Sequence, residues 1–190
     1  MPLKTTVKVS HISNLSDARY CAGMGVDLLG FQVIPGGEHY MAPERFQDIR
    51  GWISGPNIVA EIYGVSSPSE IASVIETYAP DYLELSLQEF ETFKSHLTLP
   101  CIVHISAHQT IDIKESHKIA YLLVNVDVAC ADLSGMALPV LAGIASLDHV
   151  INKMSEGCFR GFVLEGPHEL RPGVTSYEQL GSILEALEED

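Results

Sequence analysis

The sequence predicts an α/β fold, a parallel sheet of eight strands closed into a compact barrel and interleaved with helices. Three observations point there. Short apolar, β-branched runs recur eight times at a spacing of about 24 residues, most intervals between them carry helical periodicity with recognisable entry signals, and no linker or low-complexity tract interrupts the series. Strands alternating with helices need right-handed crossovers and give a parallel sheet covered on both faces. Open doubly wound sheets usually hold five or six strands, so eight favour closure.

The strand segments, in order, are Val7 to Ser10, Asp27 to Ile34, Asn57 to Val65, Asp81 to Leu85, Cys101 to Ser106, Tyr121 to Asp127, Leu138 to Ala142 and Arg160 to Leu164. Asn14 or Ser13 suits the cap of the first helix, and Ala42-Pro43-Glu44 opens the second. Ser67, Pro68 and Glu70 open the third, Ser146 caps the segment through Met154, and Ser176 precedes a final amphipathic run of Leu180, Ile183, Leu184 and Leu187. Between Asp127 and Leu138 only ten residues remain, near the lower limit for a parallel crossover. Barrels of this kind usually take about 250 residues, and the shortened connection between strands six and seven helps 190 suffice. Residues 1–190 are expected to form a single domain.

Composition narrows the partners. Apolar residues make up 46% and charged residues 19%, enough hydrophobic surface for a folded core. The formal net charge of −14, from 11 basic and 25 acidic residues with no basic stripe, argues against a nucleic-acid partner and against an anionic membrane surface. No signal peptide or membrane span is evident, so the expected location is cytoplasmic. The cysteines Cys21, Cys101, Cys130 and Cys158 are far apart in sequence and read as buried free thiols.

The first quarter carries a specific pattern. Lys8, Ile12, Asn14, Asp17, Ala18, Gly25, Asp27, Gly30, Phe31, Pro35, Tyr40, Pro43 and Glu44 match, at their spacings, the signature K-I-C-G-I-T-N-x-x-D-A, G-A-D-x-x-G-F and P-x-S-x-R-Y-[IV]-[ST]-P-E. On these residues the chain resembles the phosphoribosylanthranilate isomerase family, as a diverged and shortened member. The likeness continues through Tyr82-Leu83-Glu84-Leu85-Ser86, through Val140-Leu141-Ala142-Gly143, and at Gly166 and Pro172-Gly173. It implies a single (βα)8 TIM barrel and an Amadori rearrangement in tryptophan biosynthesis, an intramolecular aldose–ketose isomerisation. It implies no cofactor and no metal. The substrate it implies is a small molecule, a phosphorylated sugar derivative, bound by a monomer or homodimer.

That reaction needs an acid to protonate the ring oxygen and a base to take the proton on C2, both at the carboxyl ends of strands. The resemblance places the base at Ser10, where the family has cysteine; Ser10 is also readable as a small polar barrel residue, since an unassisted hydroxyl is a poor base. His11 replaces a family glycine and, by strand alternation, is expected to face away from Ser10. For the acid, one alignment register gives Val124 and another gives Asp127, which would share a face with Leu123 and Asn125. Lys8, His39, Glu84, Gly143, Ser146 and Gly166 are the candidate substrate-binding residues. Glu165 stands where the family has serine, and is expected to point outward or to pair with Arg171 or Lys8. The Gly-rich loop after strand six has at most a remnant in Asp132-Leu133-Ser134-Gly135.

Three functions therefore stay open: a diverged isomerase using Ser10 and Asp127; a barrel without this chemistry that binds a small molecule or a partner; and a barrel enzyme of other activity, metal-dependent through Glu61, Glu84, His39 and His104. His104 and His108, four apart, lack the helix that a zinc motif needs.

Overall fold

The computed structural model describes residues 2–106, 117–133, 137–167, 169–171 and 174–189. Eight parallel strands close into a barrel in sequence order: β1 (Thr6–Ser10), β2 (Leu28–Gln32), β3 (Asn57–Glu61), β4 (Tyr82–Ser86), β5 (Cys101–His104), β6 (Ile119–Val124), β7 (Val140–Ile144) and β8 (Gly161–Glu165). Helices α1 (Leu15–Gly23), α2 (Pro43–Arg50), α3 (Pro68–Tyr78), α4 (Leu87–Phe93), α5 (Leu147–Glu156) and α6 (Glu178–Ala186) lie outside it. All eight expected strands are present, several of them shorter than their apolar runs. A two-stranded antiparallel pair, β9 (Glu169–Arg171) and β10 (Val174–Thr175), was not foreseen. No described helix is long and apolar enough to cross a membrane.

The helix starts follow local chemistry. Asn14, Ser67 and Ser146 each accept a hydrogen bond from a backbone N–H three residues on, as expected for capping side chains. Ser86 forms a reciprocal capping box with Glu89, which starts α4 directly at the end of β4. Between β6 and β7 the described residues make a 3-10 turn, Cys130–Leu133, and this short connection helps the barrel fit the chain. His108, Ser134, Gly135 and Pro172-Gly173 lie outside the described residues.

Strand alternation sorts the core into two layers. Outward-facing Val7, Val9, Leu29, Phe31, Ile58, Leu83, Val103 and Leu122 pack with the helices. Leu28, Val59, Ile102, Leu123, Leu141 and Val163 fill the interior, with Tyr82 and Tyr121 beside them. Strand β1 contributes Lys8 to this inner layer instead of an apolar residue, its neighbours in register being Leu28 and Val163.

The seam between β1 and β8 depends on Gly161. A Cβ there would overlap the Thr6 carbonyl, a backbone group that cannot rotate away. Gly161→Ala is expected to lower stability by about 2–3 kcal/mol, since overpacking forces a backbone shift; urea titration measures it, and a loss under about 0.5 kcal/mol would contradict the tightness of the seam.

The expectation of four free thiols needs correcting. Cys21 and Cys101 are buried and free, but Cys130 and Cys158 form a disulfide, their Cα atoms 5.9 Å apart. Their 28-residue separation hid this, because the approach is set by how the β6–β7 connection lies against the turn after α5.

Candidate active site

Interior parity turns Lys8 and Ser10 of β1 and the register partners Glu61 of β3 and Glu84 of β4 into the barrel. Lys8 is wholly buried. Its ammonium lies 2.6 Å from Glu61 Oε1 and 2.8 Å from Glu84 Oε2, and donates to Ser10 Oγ at 2.5 Å. Gly30 of β2 makes the room: a Cβ there would sit 2.8 Å from Lys8 Nζ and overlap Glu61 Oε1.

One ammonium cannot fully satisfy two buried carboxylates. Burial works against the charge on Lys8, yet the attraction of Glu61 and Glu84 outweighs it and raises the Lys8 pKa. Burial raises the Glu84 pKa despite the pull of Lys8, with Glu61 adding repulsion. The second oxygens of both carboxylates are buried without a hydrogen bond, although Glu84 Oε2 is within ion-pair distance of Lys8. Tyr63 donates to Glu84 Oε1 at 2.9 Å, and burial together with that carboxylate pushes its phenol pKa well up, so it remains a donor.

The arrangement bears directly on Ser10. A base at this position would need a neighbour able to accept its proton, and its neighbour is a stably charged ammonium. The hydroxyl is therefore held as an acceptor and polar spacer.

His11 reverses the sequence expectation. Its φ of +56° takes the chain out of the extended conformation immediately after β1, so strand alternation no longer decides where the ring goes. The imidazole reaches the mouth of the barrel, with Nδ1 2.7 Å from Glu165 and Nε2 3.6 Å from Glu61. It stacks on His39, ring centroids 4.9 Å apart. The hydrogen bond to Glu165 raises the His11 pKa, opposed by partial burial and aided by the charge on Glu61. Glu165 thus finds its partner in His11, and Lys8 is held by Glu61 and Glu84.

Across the mouth, β5 presents His104, hydrogen-bonded through Nε2 to Asn125 Oδ1 at 3.1 Å. With the amide oxygen as acceptor, this bond uses a proton on Nε2, which in the neutral ring leaves the lone pair on Nδ1. A cavity of about 390 Å³ joins these groups, lined among others by Ser10, His11, Tyr63, Glu84, His104 and Asn125. In an eight-stranded barrel β1 and β5 are opposite one another, so the two imidazoles approach from opposite walls.

The remaining candidates scatter. Asp127 lies in an exposed turn beyond β6 and does not line the cavity; Asn125, two residues earlier, continues the inward face of Leu123 and does. Val124 packs with its strand's outward layer. Gly143 lines the cavity on β7. Ser146 spends its hydroxyl capping α5, and the Gly166 N–H donates to Ser10 O at 2.9 Å. Near them a cavity of about 270 Å³ opens between the loops after β7 and β8, walled by Glu165, Ser176 and Gln179, and no described Lys or Arg lines it. Arg45, which sequence reasoning missed, lines an adjoining polar cleft of about 510 Å³ with His39, Asn14 and Asp17, and this cleft shares Glu165 with both other cavities.

The set Glu61, Glu84, His39 and His104 does not converge for a metal. Two members are neutralising Lys8 and a third stacks on His11. Among the described residues, the one convergent trio of ligand types is Cys130, Cys158 and Glu156, with both sulfurs tied in the disulfide.

No family profile matches the sequence and no curated protein does. Solved structures do match. A phosphoribosyl anthranilate isomerase from Thermus thermophilus is 19% identical, with a TM-score of 0.79 over 96% of this chain and 98% of that one. TrpF from Jonesia denitrificans is 14% identical, with a TM-score of 0.75 over 96% of both chains. A phosphoribosyl anthranilate isomerase in complex with reduced 1-(o-carboxyphenylamino)-1-deoxyribulose 5-phosphate is 14% identical, with a TM-score of 0.74 over 95% of this chain and 97% of that one. At these identities the likeness is one of fold, an end-to-end barrel of the same design.

Proposed function

We propose that, on this shared fold, the protein is a proton-transfer isomerase of small aldose derivatives in which His11 and His104 replace the acid and base expected at Asp127 and Ser10. The observation that carries the reading is the pair of imidazoles reaching from opposite walls into one cavity while Ser10 is held by the Lys8 ammonium. His11, with its pKa raised by Glu165, supplies the proton to the ring oxygen as it opens. His104, fixed by Asn125 with its Nδ1 lone pair free of the proton, takes the proton from C2. Acid on β1 and base on β5 invert the placement of the base that the resemblance implies. Asn125 and Glu165 orient the two rings, and Tyr63 with Glu84 offers a polar wall to sugar hydroxyls.

The distal end of the substrate is uncharged in this reading. The Gly166 amide is already engaged, no described cation lines the cavity between the loops after β7 and β8, and Arg45 in the adjoining cleft shares it with the carboxylates of Asp17, Glu38 and Glu165. A phosphate dianion would gain little there, with a net charge of −14 opposing its approach.

Loss of anthranilate-type fluorescence, on adding freshly made ribosylanthranilate or its 5-phosphate to the purified protein, tests this. Turnover of the unphosphorylated compound at a kcat/KM equal to or above that of the phosphate is expected, with Ser10→Ala within about threefold of the native chain. Turnover lost with Ser10→Ala would restore the family mechanism. A second reading, a small-molecule-binding barrel without catalysis, is favoured by the same engagement of Ser10, and binding of both compounds with turnover of neither would establish it against the isomerase.

A further inference from the structure

We propose that the Cys130–Cys158 bond is a thiol–disulfide exchange site through which a cellular thiol or dithiol reductant loosens the wall of the cavity. Its position suggests this. The crossovers β1–β2, β2–β3, β3–β4, β4–β5 and β7–β8 each carry a helix, whereas the described residues of the β6–β7 connection form only the 3-10 turn Cys130–Leu133. The ties between that connection and its neighbours include the buried side chains of Val128 and Leu133, a hydrogen bond from the buried Lys153 ammonium of α5 to Val128 O at 2.7 Å, and the disulfide. Lys153 is itself shared with Glu156, 3.1 Å away, and lies over the Phe159 ring. The same connection begins with Asn125 and Val126, which line the cavity, and Asn125 holds His104. What happens at Cys130 is thus five residues from the group that sets the tautomer of His104.

The four cysteines differ in their access to chemistry. Cys158 is exposed and Cys130 half-buried, so an incoming thiolate meets the Cys158 sulfur first. It forms a mixed disulfide with Cys158, and Cys130 leaves as a thiolate that takes a proton from water. A second thiol of the reductant then attacks its own sulfur in the mixed disulfide and releases Cys158. Two electrons and two protons end on the protein as two thiols, and the reductant ends as its disulfide. Cys21 and Cys101, sequestered in the core with their thiols pushed up to about 12 by burial, stay outside this exchange.

Amide hydrogen exchange of the full chain, oxidised and after equilibration with dithiothreitol or a glutathione couple at pH 7, tests the proposal without reference to any activity. Iodoacetamide labelling after reduction should mark Cys130 and Cys158 and spare Cys21 and Cys101. Exchange over residues 125–133 should rise at least tenfold on reduction while the amides of β1 to β4 remain within twofold, and Cys158→Ser should reproduce the reduced pattern. Unchanged exchange over 125–133 would overturn the proposal. So would a bond that the glutathione couple fails to open, which would make it a permanent brace, or a rise spread over the whole barrel. Recruitment of zinc by the reduced pair with Glu156, at one ion per chain and with 125–133 still protected, would overturn it in favour of a metal clasp.

Discussion

Lys8→Met is expected to lower the unfolding free energy by about 3–5 kcal/mol at pH 7, because removing one partner of a buried ion cluster leaves uncompensated charge. Here the loss falls on two carboxylates, Glu61 and Glu84, both almost wholly buried and both paired with this ammonium, while the His11 ring, 3.6 Å from Glu61, remains beside one of them. The sign of the pH dependence follows. In the native chain the raised pKa of Lys8 contributes stability that is fully present below the unfolded value of about 10.4 and is lost as pH rises through the folded value. In the variant the carboxylates become the titrating groups. The folded pKa of Glu84, already raised by burial, rises further without the ammonium, so its contribution is fully present below about 4.3 and is lost as pH rises through the folded value. Urea titrations of Lys8→Met should therefore show recovery on going from pH 7 to pH 5, opposite to the trend of an ordinary acid-labile protein. Adding Glu61→Gln and Glu84→Gln should recover part of the loss at pH 7. A loss under about 1 kcal/mol, or none of the recovery at pH 5, would show that water reaches the cluster.

His11→Gln is expected to lower kcat by about 10²–10⁴-fold, the usual worth of a positioned general acid. Glutamine keeps a polar group at the mouth but can deliver no proton. The pH profile distinguishes this role from simple packing. An acid must be protonated, so activity should fall as pH rises through the His11 pKa, which Glu165 holds above the ordinary histidine value. Glu165→Gln removes the largest of the raising influences, and the alkaline limb should move to lower pH while kcat on its plateau changes less than in His11→Gln. The same linkage has a small effect on stability: the His11 pair favours folding below about pH 6.5 and loses that contribution as pH rises through the folded value. If Glu165→Gln lowers kcat without moving the limb, Glu165 shapes the mouth and does not tune the acid.

Much of the barrel was legible because local chemistry and strand parity decide it. Asn14, Ser67 and Ser146 are capping side chains at the positions where the apolar period changes from strand to helix. Alternation along KVS and YLELS puts Lys8, Ser10 and Glu84 on inward positions, and Leu123 on the inward face leads to Asn125. The ten-residue gap after strand six marked the place without a helix. The register that gives Asp127 extends the strand past its end at Val124, where pairing with β7 stops at Ala142 and parity ceases to apply.

The sequence by itself determined the eight units, their order, the polar residues on the inner wall and the place of the missing helix. These depend on periodicity and turn chemistry between residues close in the chain. Only the tertiary structure decided that Lys8 is shared between Glu61 and Glu84, that a single left-handed residue turns His11 into the mouth to meet Glu165, and that Cys130 reaches Cys158. Barrel closure creates the first two meetings by bringing β8 back beside β1 and side chains of separate strands into one interior, and the packing of the β6–β7 connection against the turn after α5 creates the third. A chain pattern records which face a residue takes, and closure chooses which distant residue it faces there.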